Sequence, residues 1–165
     1  MTATAQASSD DVARYAAAFA GATWPLTRSR LRRIAEELGW TLRSDRPKGM
    51  MFRSGLPLGF DRVSCLVADD DVDQVTIDLT DEATAATSAR IARELTAAVE
   101  TELGAPTGVR NAPRSSHWDL PGDGRIAIQN LGPVVVLDIL SPRYSGIERA
   151  EERYGLDTDE VPDDV

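Results

Sequence analysis

The chain is poor in the residues on which most enzyme chemistry is built. Its 165 residues include one cysteine, Cys65, one histidine, His117, and one lysine, Lys48. A lone cysteine excludes an internal disulfide framework and makes a reducing compartment the simplest setting. No apolar run approaches the roughly 18 residues that a membrane-spanning helix needs. The opening stretch MTATAQASSD has neither a basic flank nor an apolar centre, so no secretory signal is expected and a cytoplasmic location is. The sequence also lacks a C-x-x-C pair, an H-x-x-x-H pair, a G-x-S-x-G turn and a G-x-G-x-x-G or other glycine-rich phosphate loop. No metal, no cofactor and no assembled catalytic set are therefore expected.

What is present describes an ordinary globular domain: 42% hydrophobic and 27% charged residues, in a chain long enough for one core. The formal charge is -9, with a pI near 4.6. Such a balance works against nucleic-acid binding, which needs cations to displace counterions from phosphate. It favours attraction to basic proteins. The charge is uneven: eight basic and three acidic residues between Arg28 and Arg53 leave a local +5, and the remainder carries -14. Lys48 is the only lysine among 18 basic residues; with the many alanines, this points to a GC-rich, actinobacterial genome.

Residues 1–8 are small and polar and are expected to fray. Ser9 can cap a helix over 10–20, with Val12, Tyr15, Ala16 and Phe19 on one stripe and Gly21 as its stop. Thr27 or Ser29 can cap a second helix through Leu38, whose stripe is Leu31, Ile34, Ala35 and Leu38, ended by Gly39. The period then changes to two: GMMFRS (49–54), then Val63, Cys65 and Val67, then Val75, Ile77 and Leu79 predict three strands, the last two joined by a loop of five or six residues. Thr80 or Asp81 would cap a long helix over 82–103 carrying Ile91, Leu95, Val99 and Leu103. Residues 104–114 read as a loop, followed by a meander of SSHWDL, RIAIQNL and VVVLDIL across turns at PGDG and Gly132-Pro133. Ser141-Pro142 opens a short charged helix towards Tyr154. The tail GLDTDEVPDDV is acidic and expected to be disordered.

The expected order is thus α-α-β-β-β-α-β-β-β-α. It predicts one α+β domain over 9–154, between a disordered 1–8 and a disordered tail 155–165. Its mainly antiparallel sheet of about six strands would carry helices on one face. Strand 133–140 or 48–54, if it ended the sheet, could pair with another chain.

Four aspartates, Asp69, Asp70, Asp71 and Asp73, crowd the stretch between two of these strands. Asp69, Asp71 and Asp73 share the opening spacing of a calcium loop, but Gln74 stands where its glycine belongs and Thr80 where its glutamate belongs. A metal site is set aside; a solvated hairpin tip and an acidic patch facing a basic partner remain. The arginine-rich strip from Arg28 to Lys48 reads either as a solvated face paired to Glu36 or Glu37, or as a holder of phosphate or carboxylate. Cys65 belongs to an apolar face, where a thiol is inert. His117 with a carboxylate such as Asp119 is the weak basis for an enzyme; neighbouring strand positions would send the two to opposite faces. Trp24, Trp40 and Trp118 fit under the sheet rim, and an exposed tryptophan, Trp118 above all, would anchor a partner.

The segment LRRIAEELGW before a strand meander, with the later HWDLPGDGRIAIQNLGPVVVLDI, resembles the small α+β immunity proteins that actinobacteria encode beside polymorphic toxins. The element order over about 28–140 is also similar to that of type III secretion chaperones. The first resemblance implies a non-enzymatic protein that covers the active site of a cognate toxin. The second implies a homodimer that escorts a client. On either, the partner is a protein, expected to present a basic surface to Asp69, Asp70, Asp71, Asp73 and Trp118. A small ligand-binding or hydrolytic enzyme is the alternative.

Overall fold

The computed structural model describes residues 3–111 and 113–156. Local capping chemistry sets the helices. The Ser8 hydroxyl, one residue earlier than expected, accepts from the Asp11 amide and starts α1 (Ser9–Ala20). Thr27 does the same for α2 (Arg28–Leu38), and Gly39 ends it at φ 77, in the left-handed region that spares glycine alone a steric penalty. The long helix α3 (Ala85–Leu103) begins at Thr84 rather than Thr80 or Asp81. Ser141 caps α4 (Pro142–Arg153), with proline at the start as its missing N–H allows.

Among the described residues eight strands form one antiparallel sheet, where about six were expected. They are β1 (Thr41–Arg46), β2 (Gly49–Arg53), β3 (Arg62–Ala68), β4 (Asp71–Asp78), β5 (Gly108–Asn111), β6 (Arg114–Asp119), β7 (Arg125–Asn130) and β8 (Val135–Leu140). The spatial order is β1-β2-β3-β4-β8-β7-β6-β5, two meanders zipped together where β4 meets β8. The two unexpected strands are the two edges. Every residue of β1 but Ser44 is exposed, so TLRSDR carries no period-two apolar signal; β5 is four residues long inside a stretch read as loop. Strands β8 and β2, expected as possible edges, are both internal. The loop between β3 and β4 shrinks to Asp69 and Asp70, with Asp69 at φ 57.

The pairing register places Phe52, Val63, Ile77, Leu137 and Ile128 side by side on one face. Met50, Cys65, Val75, Ile139, Ile126 and Trp118 follow in the next row. All are buried, and with Val12, Tyr15, Phe19, Leu31, Ile91, Leu95 and Val99 of α1, α2 and α3 they make the core. Trp40 fills the space between α1 and β2 against Tyr15, Phe19 and Phe52, with ring centroids 5.6–6.0 Å apart. Residues 5–7, expected to be frayed, instead pair with the sheet. The Ala7 amide donates to the Leu79 carbonyl at 2.7 Å, the Asp81 amide donates to that of Ala5, and Ala7 is buried. The acidic tail lies, but for Gly155 and Leu156, outside the described residues.

The expectation of helices on one face needs correction. Three of them cover the apolar face, while α4 lies on the other, its carboxylates meeting Arg125 of β7 and Arg110 of β5. This outer face is polar along most of its rows, and α4 shelters only the part towards β5–β8. Over β1–β3 it is open to solvent.

Candidate functional site

The aspartate tip divides in two. Asp69, Asp70 and Asp71 stay exposed at the turn. Asp73 is turned inward and buried, accepting from the Ser141 hydroxyl at 2.9 Å, with the Arg143 guanidinium 3.7 Å away. The Arg28 side chain and amide donate to the carbonyls of Asp69 and Asp70, tying the tip to α2. Asp73 therefore fastens the start of α4 and leaves the expected partner-facing set. Among the described residues no group of acidic, histidine or cysteine side chains is placed to hold a metal ion. Trp118 leaves that set too: it is buried on the core face, and its indole N–H donates to the Gly104 carbonyl at 2.9 Å. The arginines of α2 find Asp45 on β1 rather than Glu36 or Glu37; Arg28 and Arg32 both bind its carboxylate.

His117 sits on the outer face beneath α4. Asp119, two positions on, shares that face, because strand side chains alternate with period two; the expected opposition of the two fails on that count. The imidazole packs against Gly108 of β5, where an added Cβ would stand 2.9 Å from its Cε1 and Nε2. Its Nδ1 is buried without a hydrogen-bond partner. Burial, and then the nearby Arg125 charge, push its pKa below the ordinary value.

Around it stands an ion-pair network. Arg125, 1% exposed, donates to Asp119 at 2.8 Å, to Glu148 at 3.0 Å and to Glu152 at 2.5 Å. Arg110 meets Glu151 at 2.8 Å and Glu152 at 3.0 Å. Desolvation opposes ionisation of Glu152, yet hydrogen bonds from the two arginines outweigh it and hold the carboxyl at about 2. Asp138, also buried on this face, moves the other way: burial raises its pKa, and hydrogen bonds from Thr76 and Gln74 offset that only in part.

Every charge of this network is spent on docking α4, whose only fully buried residue is Ser145. Among the described residues no hydroxyl or thiol is hydrogen-bonded to the imidazole. Cys65 lies on the opposite face of the sheet, its thiol pushed up to about 12 by burial. The network was legible only in fragments. Arg125 is the first residue of β7, at an outer-face position directly after the PGDG turn, and Glu148, Glu151 and Glu152 share the three- and four-residue spacing of one helix face.

The accessible surface lies on the open half of the sheet. Arg53 and Arg62 point outward from β2 and β3, and Arg43 and Arg46 stand exposed on β1 beside them. Between them Met51 and Leu66 are 40% and 48% exposed, and at the rim Phe60 is 67% exposed. An open cleft of about 400 Å³ is lined by Arg43, Met51, Arg53, Phe60 and Arg62. The Arg62 guanidinium lies 5.2 Å from the Phe60 ring centre.

A match to the profile described as "Family of unknown function (DUF6301)" runs over residues 10–141, most of the chain. The chain belongs to DUF6301. Neither the curated proteins nor the solved structures contain a significant match. The DUF6301 match takes in the core helices and all eight strands, and stops at the residue that caps α4. Both the open basic face and the strands carrying His117, Arg110 and Arg125 therefore lie within the matched region, and the helix that buries the latter lies beyond it.

Proposed function

We propose that the protein is a non-enzymatic binding module which neutralises a cognate toxin by covering its active site, acting in the cytoplasm as an immunity protein. One observation carries this reading. The imidazole and the thiol are buried in the fold, whereas apolar side chains and unpaired cations are displayed together on the uncovered half of the sheet. Exposed aromatic and apolar groups inside a polar rim are what a protein interface uses for affinity. Asp69, Asp70 and Asp71, at the far end of the β3–β4 hairpin, would steer a basic partner and raise the association rate.

The test begins with the neighbouring reading frame. Its product is expected to arrest growth when made alone, to spare the host when made with this protein, and to co-elute with it as a stable complex. Replacing Asp69, Asp70 and Asp71 together by Asn should slow association and flatten its salt dependence, while His117→Gln leaves protection intact. Undiminished arrest with no complex formed, or protection lost on His117→Gln with binding retained, refutes the reading.

A further inference from the structure

The open face of β1–β3 has a charge opposite to that of the protein that carries it. Arg43, Arg46, Lys48, Arg53 and Arg62 surround Met51 and Leu66, in a chain of formal charge -9. Among the described residues only two carboxylates answer them: Asp61, 3.9 Å from Arg53, and Asp78, 3.3 Å from Arg62. Among the described residues Arg43, Arg46 and Lys48 make no side-chain ion pair or hydrogen bond. At the cleft the unpaired Arg43 stands with Arg53 and Arg62, and the mutual repulsion of the three guanidinium groups is what an incoming anion would relieve.

The aromatic at the rim is held in place rather than loose. The loop between β2 and β3 is pinned by carboxylates that accept from its own backbone. The Gly59 amide donates to Asp81 at 2.9 Å, and that of Gly55 donates to Asp61 at 3.2 Å. Leu56 is buried beneath the loop and Leu58 packs against the core. The backbone that presents Phe60 is thus tied down on both sides, so less loop freedom remains to be lost on binding.

We propose that this face binds an acidic, extended segment of the partner protein, its carboxylates set on Arg43, Arg53 and Arg62 and its apolar side chains on Met51, Leu66 and Phe60; the proposal deepens the protein-binding reading and rests on it. The segment lies across the face rather than adding to the edge. The outermost strand β1 is bulged between Leu42 and Ser44 and carries Arg43, Asp45 and Arg46, features that obstruct strand addition. Charge complementarity selects carboxylates over a polyphosphate chain, because the net negative charge of the protein repels any nucleic acid that runs beyond the patch.

The experiment uses the full chain and fluorescence anisotropy. The probes are a labelled short peptide of Glu and Asp with a central Leu and Phe, its Gln and Asn counterpart, and an oligothymidylate of equal length. The acidic peptide is expected to bind, more weakly as salt is raised, and the neutral peptide to bind at least about tenfold less tightly, equivalent to about 1.4 kcal/mol. Arg43→Glu with Arg53→Glu should lower affinity for the acidic peptide by about tenfold or more. Phe60→Ser should weaken it severalfold, and the triple Asn variant of Asp69, Asp70 and Asp71 should not weaken it. All of these positions are exposed, and circular dichroism checks that each variant folds. Equal binding of the two peptides, or tighter binding of the oligothymidylate, overturns the proposal. So does binding that survives both the arginine and the Phe60 changes, and so does light scattering that shows the face occupied by a second copy of the chain. If toxin neutralisation fails while the acidic peptide still binds through these arginines, the immunity reading falls and the chemistry of the face stands. If the cognate complex forms unaltered with Arg43 and Arg53 reversed, the face falls and the immunity reading stands.

Discussion

Replacing Glu152 by Gln removes the carboxylate that accepts from both buried arginines, Arg110 and Arg125. Its carboxyl is held at about 2 in the folded protein, against an ordinary value of 4.5. At about 1.36 kcal/mol per pH unit the gap corresponds to a ceiling of about 3 kcal/mol. Its side chain is 25% exposed, and Glu148 and Asp119 continue to serve Arg125, so solvent screening and sharing reduce the expected loss to about 1–2 kcal/mol at pH 7. The sign follows from the depressed pKa: the stabilisation is complete above about 4.5 and disappears as pH falls towards 2. Urea unfolding of wild type and Glu152→Gln across pH 7 to pH 2 measures it directly. The wild type should lose its advantage below about pH 4.5, and high salt should narrow the gap at neutral pH. Equal stability at pH 7, or a difference that does not change with pH, would show that the carboxylate does not hold α4 in the way the geometry indicates.

Two further outcomes are expected. His117 has a folded pKa below 6.5, so the unfolded chain takes up the proton first and stability falls as pH drops through that value. His117→Gln should flatten urea midpoints between about pH 7 and pH 5, and an unchanged slope there argues against a buried neutral imidazole. Asp138 has the opposite sign: its folded pKa is raised, so the stability it contributes is full below 3.8 and is lost as pH rises. Asp138→Asn keeps an acceptor for Thr76 and Gln74 while removing the buried charge. It should leave the protein unchanged at low pH and raise its stability at pH 7 by up to about 2 kcal/mol, the scale of an imperfectly satisfied buried group; a loss at pH 7 would contradict this.

Much of the fold was legible because the residues on one face repeat. The stripes of α1 and α2, the alternation of Val63, Cys65 and Val67, and the glycine after Leu38 each follow from burying one side of an element. The edges were not legible, for the converse reason. β1 buries neither face, so its sequence has no periodicity, and β5 is too short to show one. The sequence leaves Trp118 between a place under the sheet and a role as partner anchor, because chemistry alone does not tell a tryptophan under a sheet from one on top of it. Its register with Ile126 decides the matter.

Local sequence by itself determined the helices, the internal strands, the acidic hairpin tip and the absence of familiar catalytic motifs, since each depends on neighbours within a few residues. Only the tertiary structure decided that α4 crosses to the polar side of the sheet, where it brings Glu148 and Glu152 to arginines more than twenty residues away. It also decided that Arg43, Arg53 and Arg62, from three separate strands, meet on an uncovered face. Strand order and register are fixed by long-range burial, and no property of a short stretch of chain records which distant strand will lie beside it.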